Sequence, residues 1–114
     1  MNRKKQLEEL VETLENLVLI LRLDQDCQWT DHFRNCLERA KRLRDSGFQQ
    51  KELNLLSASV MSVYGGMGSF NDYAPVLYSE EDGKASTIQG MEHLSDGSSL
   101  VYTRALALRV MEST

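Results

Sequence analysis

Apolar residues recur at three- and four-residue steps through the opening stretch of the chain: Leu7, Leu10, Val11, Leu14, Leu17, Val18 and Leu21. That spacing lays them in one stripe along an amphipathic helix of about six turns. Glu8, Glu9, Glu12 and Glu15 fall off the stripe and face water. Leu19, Ile20 and Leu23 widen the apolar face towards its C-terminal end, which is therefore expected to be the more deeply buried. The pattern breaks over residues 24–28.

A second helix is predicted in "WTDHFRNCLERAKRLRDSG", with Trp29, Phe33, Cys36, Leu37, Ala40 and Leu43 on one face. Thr30 or Asp26 is placed to cap its N-terminus, and acidic Asp31 suits the positive end of the helix dipole. Arg39, Lys41, Arg42 and Arg44 occupy the last turns, where cations suit the negative end, and Gly47 is the expected residue just beyond. A third helix is predicted from Gln49 to Tyr64. Leu53, Leu56, Val60, Met61 and Tyr64 form its stripe, while Leu55, Ala58 and Val63 make the rest nearly as apolar. A helix apolar most of the way round belongs in the middle of a bundle.

Pro75 drives its predecessor towards extended backbone. "EEDG" is a turn signal, and "SEEDGKAS" reads as a surface loop. A short helix is expected within residues 87–95, interrupted by "SDGSS", before a last helix from Ser99 to about Glu112. That helix turns Leu100, Val101, Ala105, Leu108 and Met111 inward. Four principal helices with short links predict an all-α, single-domain bundle over residues 1–114 with a glycine-rich corner after the third helix.

Composition narrows the function classes. At 114 residues with 41% hydrophobic and 26% charged residues, the chain has enough apolar material for one core and too little length for two. The net charge of -4 argues against non-specific nucleic-acid binding, which needs a basic face to displace phosphate counterions, and favours basic partners through steering. The glutamates before the apolar part of the first segment argue against a signal peptide, and no stretch is long and apolar enough to span a membrane. Cys27 and Cys36 form no zinc spacing, and two thiols without a disulfide framework suit a reducing cytoplasm. His32 shares a helix face with Cys36, so a metal site with Cys27 or a thiolate pair is geometrically open. Cys36, however, lies on the stripe expected to be buried, and no metal or other cofactor is expected.

Catalysis finds no constellation. General acid–base work needs paired groups in opposed environments, whereas the carboxylates here lie on solvated helix faces and neither histidine has an evident partner. Ser69 sits among glycines, but "GMGSF" lacks both the G-x-S-x-G elbow and a preceding strand. The chain reads as a non-enzyme.

The stretch "VYGGMGSFNDYAP" supports three readings. A phosphate loop needs strand, glycines and then helix; here a helix comes first and no lysine follows. A rigid corner needs less: Gly65 or Gly66 closes the helix in the left-handed conformation and Gly68 permits a second turn. Ser69 or Asn71 then bonds nearby backbone, while Met67 and Phe70 pin the loop to the core. The third reading keeps the corner and adds recognition, with Asn71 and Asp72 presenting polar contacts.

Through Gly65, Gly66, Met67, Gly68, Ser69, Phe70, Asn71 and Asp72, preceded by "LNLLSASVMS", the chain resembles a family of small bacterial helical proteins of unknown function marked by GGMGSFND. Trp29 and the helix after it fit the same pattern. Tyr73 departs from it, standing where an aliphatic residue is more usual. The resemblance covers residues 7–78, and some proteins of this kind are similar to immunity proteins that accompany bacterial toxins. It implies a cytoplasmic binding protein that neutralises a cognate toxin. An acidic chain without catalytic groups fits that role, its carboxylates meeting a basic cleft. The groups available are Asp24, Asp26 and Asp31 at the first helix junction, and Glu80, Glu81 and Asp82 in the later loop, alongside Asn71 and Asp72. The alternative is a small regulatory or scaffold protein, dimerising through its Leu-rich first helix.

Overall fold

The first stripe becomes α1, Arg3–Leu21, and all seven of its predicted residues are buried. The computed structural model describes residues 3–25, 27–65, 70, 73, 76–78, 85–87 and 91–109. Within them α2 spans Thr30–Ser46, α3 Gln50–Met61 and α4 Leu94–Leu108. A short antiparallel ribbon pairs β1, Val76–Tyr78, with β2, Ala85–Thr87, in the register Val76 to Thr87 and Tyr78 to Ala85. The fold is an all-α bundle carrying this ribbon between α3 and α4. The ribbon corrects the reading of Ala85–Thr87 as loop and helix start. Its strands are three residues long, too short for a period-2 pattern to stand out.

Hydrogen bonds at the two ends fix the topology. Arg3 Nη1 donates to the Ala107 carbonyl at 2.9 Å, and Gln50 Nε2 donates to the Leu108 carbonyl at 2.8 Å. At the other end the Tyr64 hydroxyl donates to the Ser98 carbonyl at 2.9 Å. α4 therefore runs antiparallel to both α1 and α3. α1 packs against α2 and α4, and α3 packs against the same two helices. The helices stand up-down-up-down as a square, with α1 and α3 on opposite corners.

That arrangement corrects the expectation of a central third helix. Leu53, Leu56, Ser57 and Val60 of α3 are buried, but Ala58 is exposed and Leu55 is 55% exposed. An apolar residue outside is common in proteins, so apolar count alone does not locate a helix. The C-terminal end of α1 is likewise less buried than expected, with Leu19 60% and Leu23 46% exposed. Leu19 lies two residues, some 200° of helix, from Leu17 and so points away from the stripe. Leu23 lies beyond the last helical residue.

α2 places Phe33, Cys36, Leu37 and Ala40 inside, with Trp29 and Leu43 half-buried against them. Trp29 occupies its N-cap position with no side-chain cap bond, so Thr30 is the first helical residue instead of the cap; Asp26 lies outside the described residues. Gly47 ends α2 as expected, at φ +95°, its N–H donating to the Leu43 carbonyl. α3 starts one residue late and stops three residues early. At its start the Gln49 N–H donates to Glu52 Oε1 at 2.9 Å, which satisfies one of the free donors there.

The expected break at "SDGSS" does not occur. A 3-10 turn, Met91–His93, leads straight into α4, and residues 95–99 are helical. Gly97 is tolerated because it faces α1: a Cβ there would sit 3.3 Å from Ile20 Cδ1. A glycine that reads as a breaker is here a close-packing residue. α4 ends at Leu108, short of the predicted Glu112, with Val101, Ala105 and Leu108 buried. Leu100, expected inside, is 47% exposed, and Met111 lies outside the described residues.

Candidate functional site

At the end of the bundle where α1 and α3 finish and α4 begins, four rings gather around one side chain. Phe70, from the glycine-rich stretch, is 4% exposed. Its ring lies 4.8 Å from Phe33, 5.4 Å from Tyr64, 6.0 Å from Trp29 and 6.0 Å from Tyr73, measured between centroids. Tyr64 in turn meets Phe33 at 6.1 Å and Tyr102 of α4 at 5.1 Å. Most of these pairs are edge-on or tilted, the arrangement that brings ring edges to ring faces. The corner is thus tied to α2, the end of α3 and α4 together.

Its backbone explains why. After Met61 the chain turns through residues 62–64, with the Tyr64 N–H donating to the Met61 carbonyl at 3.0 Å. Gly65 then takes φ +95°, a conformation that a Cβ disfavours. The chain returns so that the Phe70 N–H donates to the Val63 carbonyl at 2.8 Å, closing the loop on itself. The Tyr73 N–H next donates to the Phe70 carbonyl at 3.0 Å. Of the motif residues two are described: Gly65 has a positive φ and Phe70 is buried in the core. Gly66, Met67, Gly68, Ser69, Asn71 and Asp72 lie outside the described residues.

Two hydroxyls complete the site. Tyr64 bonds the Ser98 carbonyl, and burial pushes its phenol up to about 12. Tyr73 donates to Asp24 Oδ2 at 2.5 Å, joining the corner to the turn after α1. Burial first, then that bond to the carboxylate, raises the Tyr73 phenol above the usual tyrosine range. Neither bond is legible in hydrophobic spacing.

Of the remaining candidate residues, Asp24 and Asp31 are described. Asp24 is half-buried and engaged by Tyr73, whereas Asp31 is exposed and paired with Arg34 at 2.7 Å. Such an exposed pair is worth about 0–1 kcal/mol, so Asp31 can exchange partners easily. Asp26, Glu80, Glu81 and Asp82 lie outside the described residues.

Cys36 Sγ lies 3.7 Å from His32 Nε2, so the two do meet. Burial pushes the Cys36 thiol up, against a hydrogen bond from Ser59 and the charge of Arg39, which disfavours the thiolate. Cys27 is engaged elsewhere, its Sγ accepting from the Trp29 N–H at 3.4 Å. Among the described residues no group of three or more His, Cys, Asp or Glu side chains could hold a metal ion. Nor is any helix among them long and apolar enough to cross a membrane.

Residues 22–84 match the model of a family described as a domain of unknown function (DUF6966), and the chain belongs to that family. No curated protein and no solved structure matches the chain. The matched span runs from the turn after α1 to the link between the two strands. It includes Asp24, Trp29, Phe33, Tyr64, Phe70 and Tyr73, and excludes α1 and α4.

Proposed function

We propose that the chain is a non-catalytic binding protein that neutralises a cognate bacterial toxin by direct contact, using the corner end of the bundle. The observation that supports this reading is the seating of Phe70. A residue fixed by a backbone bond to Val63 and by rings from several neighbouring segments loses little further entropy on binding, which favours recognition beside it. The polar residues that the sequence sets beside Phe70, Asn71 and Asp72, then serve as contacts, with Asp24, Asp26 and Asp31 at the adjoining junction. Glu80, Glu81 and Asp82, between the two strands, extend the acidic set towards a basic cleft.

The test is recovery of the tagged chain from its native host. Co-purification of one stoichiometric partner, toxic when expressed alone and harmless beside this chain, is the expected result. Recovery of the chain by itself would overturn the toxin reading. Charge reversal at Asp26 and Asp31 should then weaken the complex and flatten its salt dependence.

The homodimer reading retains one supporting feature. Leu19 and Leu23 stand exposed at the end of the Leu-rich first helix and its turn, where a second copy would cover them. It requires a melting temperature that rises with protein concentration, which a monomeric toxin antagonist would not show.

A further inference from the structure

The opposite end of the bundle carries a second surface with different chemistry. Between the last turns of α2 and the start of α3 runs an open groove of about 420 Å³, lined by Arg39, Arg42 and Leu43 on one side and by Glu52 and Leu55 on the other. Arg34, Arg44 and Arg104 each have an ion-pair partner, in Asp31, Asp45 and Glu9. Arg39 and Arg42 have none among the described residues. Glu52, the carboxylate in the groove, is already engaged by the Gln49 N–H. Leu55 stands 55% exposed at the groove edge, with half-buried Leu43 across from it.

From this arrangement we infer that the groove is a docking site for an acidic segment of another protein, one presenting carboxylates beside an aliphatic side chain. Two guanidinium groups three residues apart sit on neighbouring turns of one helix, within reach of one carboxylate or an adjacent pair. Arginine suits that task because its planar fork takes a carboxylate through two parallel hydrogen bonds. The exposed leucine supplies the apolar contact, and burying it offsets the cost of stripping water from the charges. The occupant is fixed by complementarity: two unpaired cations call for anions, and Leu55 calls for an aliphatic neighbour to them. The toxin reading concerns the other end of the molecule, and the groove does not depend on it.

The test uses the full chain and a fluorescent, end-blocked octapeptide alternating pairs of glutamate with pairs of leucine, read by fluorescence anisotropy. Saturable binding is expected, with no binding of the same peptide carrying lysine for glutamate. Arg39→Glu with Arg42→Glu should weaken it at least tenfold, and Leu55→Glu should do the same by removing the apolar contact. Arg42 and Leu55 are exposed and Arg39 is half-buried, and an unchanged thermal melt verifies that each variant is folded. Arg42→Lys should retain part of the affinity, which a loss through misfolding would not. Absence of saturable binding overturns the inference, as does binding that survives the double reversal. Equal competition by inorganic phosphate would also overturn it, by reducing the groove to a bare anion site. A sedimentation dimer abolished by Arg42→Glu would overturn it too, by assigning the groove to a second copy.

Discussion

Tyr73 gives its phenol proton to Asp24 Oδ2, a bond between residues 49 positions apart that joins the chain beyond the glycine corner to the turn closing α1. A hydrogen bond to a charged acceptor contributes about 1.5–3 kcal/mol when the partner is half-buried, and removing the donor leaves the carboxylate less well satisfied. Tyr73→Phe, which retains the ring stacked on Phe70, should therefore lower stability by about 1–2 kcal/mol in urea unfolding. Asp24→Asn retains an acceptor and should cost less. Equal losses from the two variants would mean that the carboxylate charge contributes as much as the hydroxyl.

Phe70 is the residue on which the corner depends. Truncation to alanine removes a ring that meets four others and opens a cavity among them, a change worth about 3–5 kcal/mol in protein cores. Phe70→Ala should unfold the protein at a markedly lower temperature, while Phe70→Leu should lose less, since most of the buried volume is kept. A Phe70→Ala melt within a degree or two of the parent would show that the ring cluster is not what holds this end together.

Two glycines separate backbone strain from side-chain crowding. At Gly65 a Cβ would meet nothing within 4 Å, but φ is +95°. Gly65→Ala should thus destabilise by about 1–2 kcal/mol through the backbone alone, with Gly65→Asn milder. Gly97 has ordinary helical φ, and its constraint is Ile20 Cδ1 at 3.3 Å. That atom is the far end of a half-buried side chain and can move by a few tenths of an ångström. The helix-propensity gain then dominates, and Gly97→Ala should stabilise by up to about 1 kcal/mol. Gly97→Leu should destabilise by forcing α1 and α4 apart. Thermal melts of the four single variants decide the signs.

These residues also mark what was legible in the sequence. The α1 stripe could be read residue by residue because a long helix averages over many turns and its buried face dominates the pattern. Gly47 was readable because few other residues accept a positive φ at a helix end, whereas Gly65, one of two glycines offered for that role, takes its positive φ beyond the turn that follows α3. Gly97 was misread because the sequence shows a flexible residue and hides the neighbour that requires it to be small. Leu55 and Leu100 were misplaced for a related reason: burial depends on which helices flank a face, and neighbours are a property of the assembled square. At the candidate site Phe70 and Trp29 announced themselves as large apolar groups. The partners of Tyr73 and Tyr64 were not readable, since a hydroxyl bonding across 49 or 34 residues leaves no local period.

The tyrosines and the buried thiol give the protein a predictable alkaline behaviour. Tyr64 has its folded-state value raised to about 12 by burial, and Tyr73 is raised as well. A group raised on folding holds its proton more tightly in the native state, so its contribution is fully present below the unfolded value, near 10, and is lost as pH rises through the folded one. Stability should accordingly stay flat with respect to these groups up to about pH 10 and fall between there and about pH 12. Tyr64→Phe should be less stable at neutral pH, through loss of the Ser98 bond, yet show a shallower decline above pH 10 in pH-dependent urea unfolding. A decline of unchanged steepness would assign the alkaline loss to other groups. Cys36 titrates in the same direction, since burial disfavours its thiolate. Below the alkaline transition a thiol reagent should therefore modify half-buried Cys27 and leave Cys36 untouched until the chain unfolds. Prompt reaction of both thiols with the native protein would show that the α2–α3 seam over Cys36 opens faster than its burial implies.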